Sequence, residues 1–378
     1  MAKKKKLTPK DKANMILDAY TELGGKVSAA ELSKLLKIHP RTIRYHTAQL
    51  KKKGHLGRVW PQTLDTKLGL GDCLVILDMS EEYRTLPRDF LNCFPNFYAH
   101  LATFGKYNGI FASAGFPLAN PQIVDTIIRA LERKRIIKDH FILNTLDFVS
   151  LSPNLSKYNP STGWDWSWSD WVEQSEKILK SGEPSHLEFD TNPTPIDFDY
   201  RDVAIIAEMK RDGSITLKEL SKVLDLSETQ IGARIRRLKD VGVIKGFMWM
   251  IDNTPKSISV YSFLELTEPN HPILSCFLYL PFRKEIIMES SDRYLIRLTM
   301  NSSDVIDFLR GFEFLRPHLR SYFIQFAINV QVVPGGMHRF YSLYSRKKKG
   351  WDMPVEDYIS DFERYLDKFT DSLKSKSD

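Results

Sequence analysis

"ELSKVLDLSETQIGARIRRLKDVGVI" occupies residues 219–244, and "ELSKLLKIHPRTIRYHTAQLKKKGHL" occupies residues 31–56. The two lie 188 positions apart, and Glu31, Leu32, Ser33, Lys34, Leu36, Ile43, Leu50, Lys51 and Gly54 recur at that offset without a gap. Each copy parses as two short helices around a tight turn. Ser28 with Glu31, or Thr216 with Glu219, forms a capping box, and Leu32, Leu35 and Leu36, or Leu220, Val223 and Leu224, follow on one face. The second helix starts at Pro40, or at the capping box of Ser227 and Gln230. Its inward stripe is Ile43, Thr47 and Leu50, or Ile231, Ile235 and Leu238, and Gly54 or Gly242 ends it.

Another amphipathic stretch precedes each pair, at 12–23 and 200–210, and a β-prone run follows, "HLGRVW" or "VIKGFMWMI". Three helices and a strand predict a winged helix-turn-helix, whose third helix enters the DNA major groove; the plain alternative is a three-helix unit serving protein contacts. The offset continues. Residues 71–78 align with 259–266 as strands, and each copy then alternates helix, two strands, helix ("PQIVDTIIRALERK" or "SSDVIDFLRGFEFL") and a last strand at 140–149 or 321–333. The expected fold class is α+β, with two winged helix-turn-helix domains each followed by a ferredoxin-like βαββαβ domain. A βαββαβ sheet has one uncovered face, and the obvious partner is the other copy. The domains are a basic tail (1–9), winged helix 1 (10–68), βαββαβ domain 1 (70–150), a Trp-rich acidic linker (151–197), winged helix 2 (198–252), βαββαβ domain 2 (257–335) and a basic segment with a C-terminal amphipathic helix (336–378).

The length of 378 residues exceeds what one core serves, and 42% hydrophobic with 27% charged residues is an ordinary globular balance. Net charge is +7, but residues 1–60 alone carry +11 and the remainder −4. Positive charge held at one end is a nucleic-acid footprint, although Lys3 to Lys6 alone also read as a solvated tail. No apolar signal segment follows the basic start and no stretch approaches a bilayer span, so a cytoplasmic protein without membrane contact is expected. Cys73, Cys93 and Cys276 fit neither a disulfide framework nor a metal pair and read as core. Phosphate-loop, GxSxG and HExxH patterns are absent and the nine histidines lack metal spacing. No catalytic residue, metal or cofactor is therefore expected, nor an enzyme.

In the linker, residues 151–200 carry a balance of −6, which argues against phosphate contact. Trp164, Trp166 and Trp168 alternate as on one strand face. An interdomain clasp is expected over a base-stacking platform, with "VEQSEKILKSG" as a short helix. After "RKKKG", a helix from Pro354 with Val355, Tyr358, Ile359, Phe362, Tyr365, Leu366 and Phe369 on one face should dock onto the body.

The candidate DNA contacts follow from a helical projection. In the first copy Arg41, Arg44, Tyr45, Gln49 and Lys52 face outward with Thr42 and His46 at the flanks, and Lys51, Lys52, Lys53 and Arg58 of the wing suit phosphates. The second copy offers Thr229, Gln230, Arg234, Arg236 and Arg237, while Gly232, Ala233 and Asp240 stand where the first has Arg44, Tyr45 and Lys52. The two readers should not recognise the same half-site.

With R-I-R-R-L and G-V-I-K-G, residues 219–252 resemble the signature of the leucine-responsive regulatory protein (Lrp/AsnC) family, and the tandem plan is of archaeal type. The resemblance covers roughly 10–150 and 198–335, and the first copy is similar to a more generic winged helix. It implies double-stranded DNA as partner, homodimers or higher oligomers through the βαββαβ domains, and an amino acid or other small effector at a G-x-x-D turn. Here that turn is Gly105-Lys-Tyr-Asn108 in the first copy, making Gly105 and Asn108 the candidate effector residues, and Ser290-Ser-Asp-Arg293 in the second. The expected function is a sequence-specific transcription regulator acting as a covalent pseudo-dimer. Alternatives are an architectural DNA-coating protein and an enzyme on the domain plan that siroheme decarboxylases share, whose histidine-tyrosine motifs are not found.

Overall fold

The computed structural model describes residues 8–159, 161–250, 256–269, 271–328 and 341–374. The lysine tail at 3–6 and the last residues of the final predicted strand, 329–333, lie outside the described residues. The first winged helix runs α1 (Pro9–Leu23), α2 (Ala29–Leu36), α3 (Pro40–Lys52) and β1 (Val59–Thr63). Its expected punctuation is present. Ser28 Oγ accepts from the Glu31 amide at 3.1 Å while Glu31 Oε2 accepts from the Ser28 amide at 2.7 Å, and Pro40 occupies the first turn of α3. Ile16, Leu32 and Ile43 are fully buried between the three helices.

The chain continues with β2 (Leu70–Met79), β3 (Phe97–Gly105), β4 (Gly109–Pro117), α4 (Ile123–Arg133), β5 (Ile137–Thr145) and β6 (Asp147–Leu151). A small hairpin, β7 (Tyr158–Asn159) with β8 (Gly163–Trp164), leads to α5 (Trp168–Ser181). The second copy repeats this order: α6 (Tyr200–Arg211), α7 (Leu217–Leu224), α8 (Glu228–Asp240), β9 (Ile244–Trp249), β10 (Ser257–Leu266), α9 (Ile273–Cys276), β11 (Lys284–Met288), β12 (Arg293–Asn301), α10 (Val305–Leu315) and β13 (Leu319–Ile328). Then come β14 (Tyr344–Ser345), β15 (Gly350–Trp351) and α11 (Val355–Lys374). The turns after α2 and α7 both pass through a left-handed residue, Lys37 at φ 55° and Asp225 at φ 51°, again 188 positions apart. In one respect the βαββαβ expectation is too regular. The first helix of each copy is reduced to 3-10 turns at Glu81–Tyr83 and Arg88–Cys93, or to the single turn of α9 and a 3-10 turn.

The copies interlock. β1 pairs antiparallel with β9, so the two wings form one ribbon. Gly25 donates its amide to Phe247 O at 2.7 Å, and a Cβ on its counterpart Gly213 would stand 2.4 Å from Val59 O, so each helical turn abuts the other copy's wing. The large sheet has the order β5-β2-β4-β3-β13-β10-β12-β11-β6, with each four-strand half in ferredoxin-like arrangement. β5 and β6 are consecutive through Leu146, one pairing with β2 and the other with β11, so the ladder closes on itself as a barrel. The uncovered faces do meet. Leu74, Ile76, Phe111, Tyr261, Phe263 and Leu295 pack inside, with the Phe111 and Tyr261 rings stacked at 4.2 Å.

The duplication extends beyond the segments in which the sequence pattern displays it. The hairpins β7/β8 and β14/β15 share Gly-Trp-Asp (163–165 and 350–352), and each leads into an amphipathic helix. These helices are exchanged. α5 follows the first barrel half but covers the second, where Trp171 donates Nε1–H to Cys276 O at 2.8 Å and stacks on Phe308. α11 follows the second half but covers the first, its Phe362 ring lying 5.6 and 5.4 Å from Phe90 and Phe94. Trp164, Trp166 and Trp168 do not share one strand, because Ser167 caps α5 by accepting from the Asp170 amide. All three rings nevertheless surround Phe282, at 5.6, 6.1 and 5.7 Å. Cys73 and Cys276 are buried, Cys93 is half-buried, and none of the three is in a disulfide.

Candidate nucleic-acid interface and a cavity beneath the wings

On α3 the groups proposed to meet DNA divide by exposure. Arg41, Arg44, Lys51, Lys52 and Lys53 are exposed, Tyr45 is 62% exposed, and Thr42, His46 and Gln49 are half-buried. Among the described residues no carboxylate lies within 4 Å of Arg41 or Arg44. Burial, followed by the charge of Lys12, holds the His46 imidazole below its ordinary value. Arg58 is half-buried, with its guanidinium 5.0 Å from the Trp60 ring, and it lines the cavity described below.

The corresponding face of α8 is occupied by its own protein. Arg234 reaches Asp199 and Asp202, each at 2.8 Å, while Arg237 reaches Asp202 at 2.7 Å and donates to Asp197 O at 2.8 Å. Asp202 is buried at the start of α6. Gln230 remains exposed, but its Oε1 accepts from the Ser227 amide at 2.9 Å. Thr229 and Arg236 are exposed. On α8, Arg234 and Arg237 are thus engaged in an intramolecular network with the start of α6. The spacing alone hid this, since an arginine turned toward a neighbouring helix and one turned outward differ by a single position.

Gly105 and Asn108 form the turn between β3 and β4. Gly105 has φ +147°, and a Cβ there would lie 2.7 Å from Ile324 O, so it permits the close passage of β13. The Asn108 amide donates to Asp78 Oδ1 at 3.0 Å, and its residue is exposed. The turn also meets the other barrel half, where Gln325 Oε1 accepts from the Tyr107 amide and Gln325 Nε2 donates to Tyr107 O.

A cavity of about 230 Å³ lies elsewhere, in the barrel mouth under the wing ribbon. Tyr98 donates Oη–H to Asp72 Oδ1 at 2.6 Å on its wall. Burial pushes Asp72 up to about 7, against the lowering effect of that hydrogen bond. Glu285 lies between Arg297, 3.0 Å away, and Arg283. Burial alone would raise its carboxyl, but the two guanidinium groups outweigh this and bring it to about 2. The ribbon closes the space with Trp60, Gln62 and Thr63, and α6 adds Lys210, 3.7 Å from Asp65. Sequence reasoning missed this group because its members come from separate strands. The available signal was charge within apolar strands: Asp72 in "GDCLVILD", Glu285 in "KEIIM" and Arg297 in "RYLIRLTM". No group of three or more histidine, cysteine or acidic side chains suited to a metal occurs among the described residues, and no described helix is long and apolar enough to cross a membrane.

Comparison with known proteins agrees with this plan. A winged helix-turn-helix DNA-binding family profile matches residues 198–245. The chain is 38% identical over 69 residues to the HTH-type transcriptional regulator FL11 of Pyrococcus horikoshii, covering 18% of this chain and 46% of that one. It is 31% identical over 72 residues to the HTH-type regulator LrpC of Bacillus subtilis, covering 19% and 50%. The chain thus spans about half the length of these curated relatives. A crystal structure of the siroheme decarboxylase NirDL aligns with TM-score 0.54 and 15% identity over 87% of this chain and 97% of that one, a likeness of fold.

Proposed function

We propose that this Lrp/AsnC-like chain is a sequence-specific DNA-binding transcription regulator in which one polypeptide supplies both winged helices, a covalent pseudo-dimer. The observation that carries this reading is α3. It presents exposed Arg41, Arg44 and Tyr45, the two arginines without carboxylate partners among the described residues, followed by Lys51 to Lys53, in a segment of +11. Arginine forks match the O6 and N7 edges of guanine, and the lysines match phosphates. Likeness to HTH-type regulators and the winged-helix profile support the same partner, double-stranded DNA.

The ribbon of β1 and β9 supports the pseudo-dimer, since it ties the two readers as a subunit interface would. Thr229 and Arg236 are the groups through which the second reader contributes. Further assembly through the outer barrel faces, a cytoplasmic location and regulation by a small effector belong to the same reading. Genome-wide occupancy mapping of the intact chain tests it. Discrete peaks sharing a sequence motif are expected; a smooth coat of the genome would make the protein architectural, and no enrichment would remove DNA as its partner.

A further inference from the structure

No residue of α3 or α8 lines the cavity under the wing ribbon, yet it is built as a binding site. It is enclosed by strands from both barrel halves, by the ribbon and by α6. Four aromatic side chains, Trp60, Phe111, Phe148 and Tyr261, stand on its walls and offer ring faces to a flat apolar group. Polar groups converge on it, and three of them, Arg283 Nε, Thr145 Oγ1 and His100 Nδ1, are buried without a hydrogen-bond partner among the described residues. A protein interior leaves few such atoms, and a ligand is one reason to leave several together.

The charges define what fits. Arg58, Lys210, Arg283 and Arg297 stand against Asp65, Asp72 and Glu285. Glu285 is shared by two arginines, and Asp65 is met by Lys210 and by the Tyr341 hydroxyl at 2.7 Å. With Asp72 ionised, the four cations exceed the three carboxylates by one, an excess suited to a monoanion. A dianion would meet the Asp72 and Glu285 oxygens, whereas a planar carboxylate matches a guanidinium fork. The volume equals that of roughly eight liquid waters, the size of a one-ring acid.

We propose that the barrel mouth is the binding site of a small organic monocarboxylate with a flat apolar body, its carboxylate on the side of Arg283 and its ring among Trp60, Phe111 and Tyr261. The DNA contacts use none of these residues, and the test needs no DNA, so its outcome is independent of the regulator reading. Titration calorimetry on the intact chain would compare phenylacetate with phenylacetamide, which has the same shape without the charge. Phenylacetate is expected to bind with a Kd below about 1 mM and at least about tenfold more tightly than the amide, the equivalent of one well-made charged contact. Arg283→Gln should erase that preference. Because Arg283 also supports Glu285, Ser113→Phe serves as a second variant: it fills the cavity from β4 and should remove phenylacetate binding while the melting temperature is kept. The proposal is overturned if phenylacetate does not bind in that range, if the amide or inorganic phosphate binds as well as the acid, or if the filled cavity binds it unchanged.

Discussion

Position for position, α3 and α8 occupy the same place in the same three-helix unit, yet their polar groups are spent differently. At the 188-residue offset, His46, Gln49 and Asn14 stand where the second copy has Arg234, Arg237 and Asp202. The second unit commits two arginines to a buried aspartate, and its outer face carries Gly232 and Ala233. The first unit has no such cluster among the described residues and presents Arg41, Arg44 and Tyr45 outward. A symmetric homodimer could not separate these tasks, since every substitution would appear in both readers. Duplication within one chain lets one copy become the anchor of the frame while the other keeps its charge free for the DNA contact proposed above.

The largest effect expected from this division is on DNA affinity. Truncating Arg41 and Arg44 together should weaken a selected site by at least about 30-fold, since each base contact is worth about 1–3 kcal/mol. Binding to random DNA should fall much less. Fluorescence anisotropy with the two DNAs measures both, and equal affinities for the variant and the native chain would mean that α3 is not the reader.

The matching effect in the second copy is on stability. Asp202→Ala leaves Arg234 and Arg237 without their buried partner. Because both arginines are partly exposed, a loss of about 2 kcal/mol is expected, below the range for a fully buried pair. Asn14→Ala, the equivalent change in the first copy, is on an exposed position and should cost less than about 0.5 kcal/mol. Denaturant melts of the two variants decide the point, and equal losses would end the distinction between anchor and reader. Acid should act on the same cluster. Burial alone would raise the Asp199 carboxyl, but Arg234 and the amides of Asp202 and Arg201 hold it below its ordinary value. A depressed carboxyl stabilises the fold above its unfolded value, near about 4, and that contribution disappears as pH falls through the folded one. Native stability should therefore decline in this acid range more steeply than that of an Asp199→Asn variant.

These differences also mark how far the sequence could be read. Capping boxes, Pro40 and the glycines placed the helices of both readers, since these signals are local and each has one structural solution. The alternating apolar strands announced two sheets with faces to cover, and the closed barrel is their joint answer. What remained hidden depends on pairing between distant segments. Arg234 and Asp202 are 32 residues apart. The cavity wall joins Asp72 to Arg297, and no periodicity within either strand says that they share a space. The exchanged helices α5 and α11 were legible in principle from Gly163-Trp-Asp and Gly350-Trp-Asp, but different sequences between and after these triplets obscured the match.

A smaller effect should come from the lysine tail, which belongs to the first reader alone. Removing residues 1–6 takes away four lysines, and the slope of log affinity against log salt should flatten by at most about 0.9 for each phosphate that is no longer neutralised. All sequences should weaken together. A change in base preference would instead assign the tail a reading role.

The smallest effect should come from Arg236, the exposed arginine of α8 that is not drawn into the Asp202 cluster. Its counterpart in the first copy is Ala48, so a base contact made here has no equivalent on the other half of the site. With Gly232 and Ala233 beside it, Arg236 has little support from neighbouring contacts, and Arg236→Ala should cost no more than about 1 kcal/mol. Position matters more than magnitude. Sites selected from random DNA by the native chain should be non-palindromic, with one half strongly specified by α3 and the other weakly by Thr229 and Arg236. Repeating the selection with Arg236→Ala should erase information only from the weak half. A perfect palindrome whose halves fade together would show that both helices read alike, and the unequal use of arginine described here would then have no bearing on recognition.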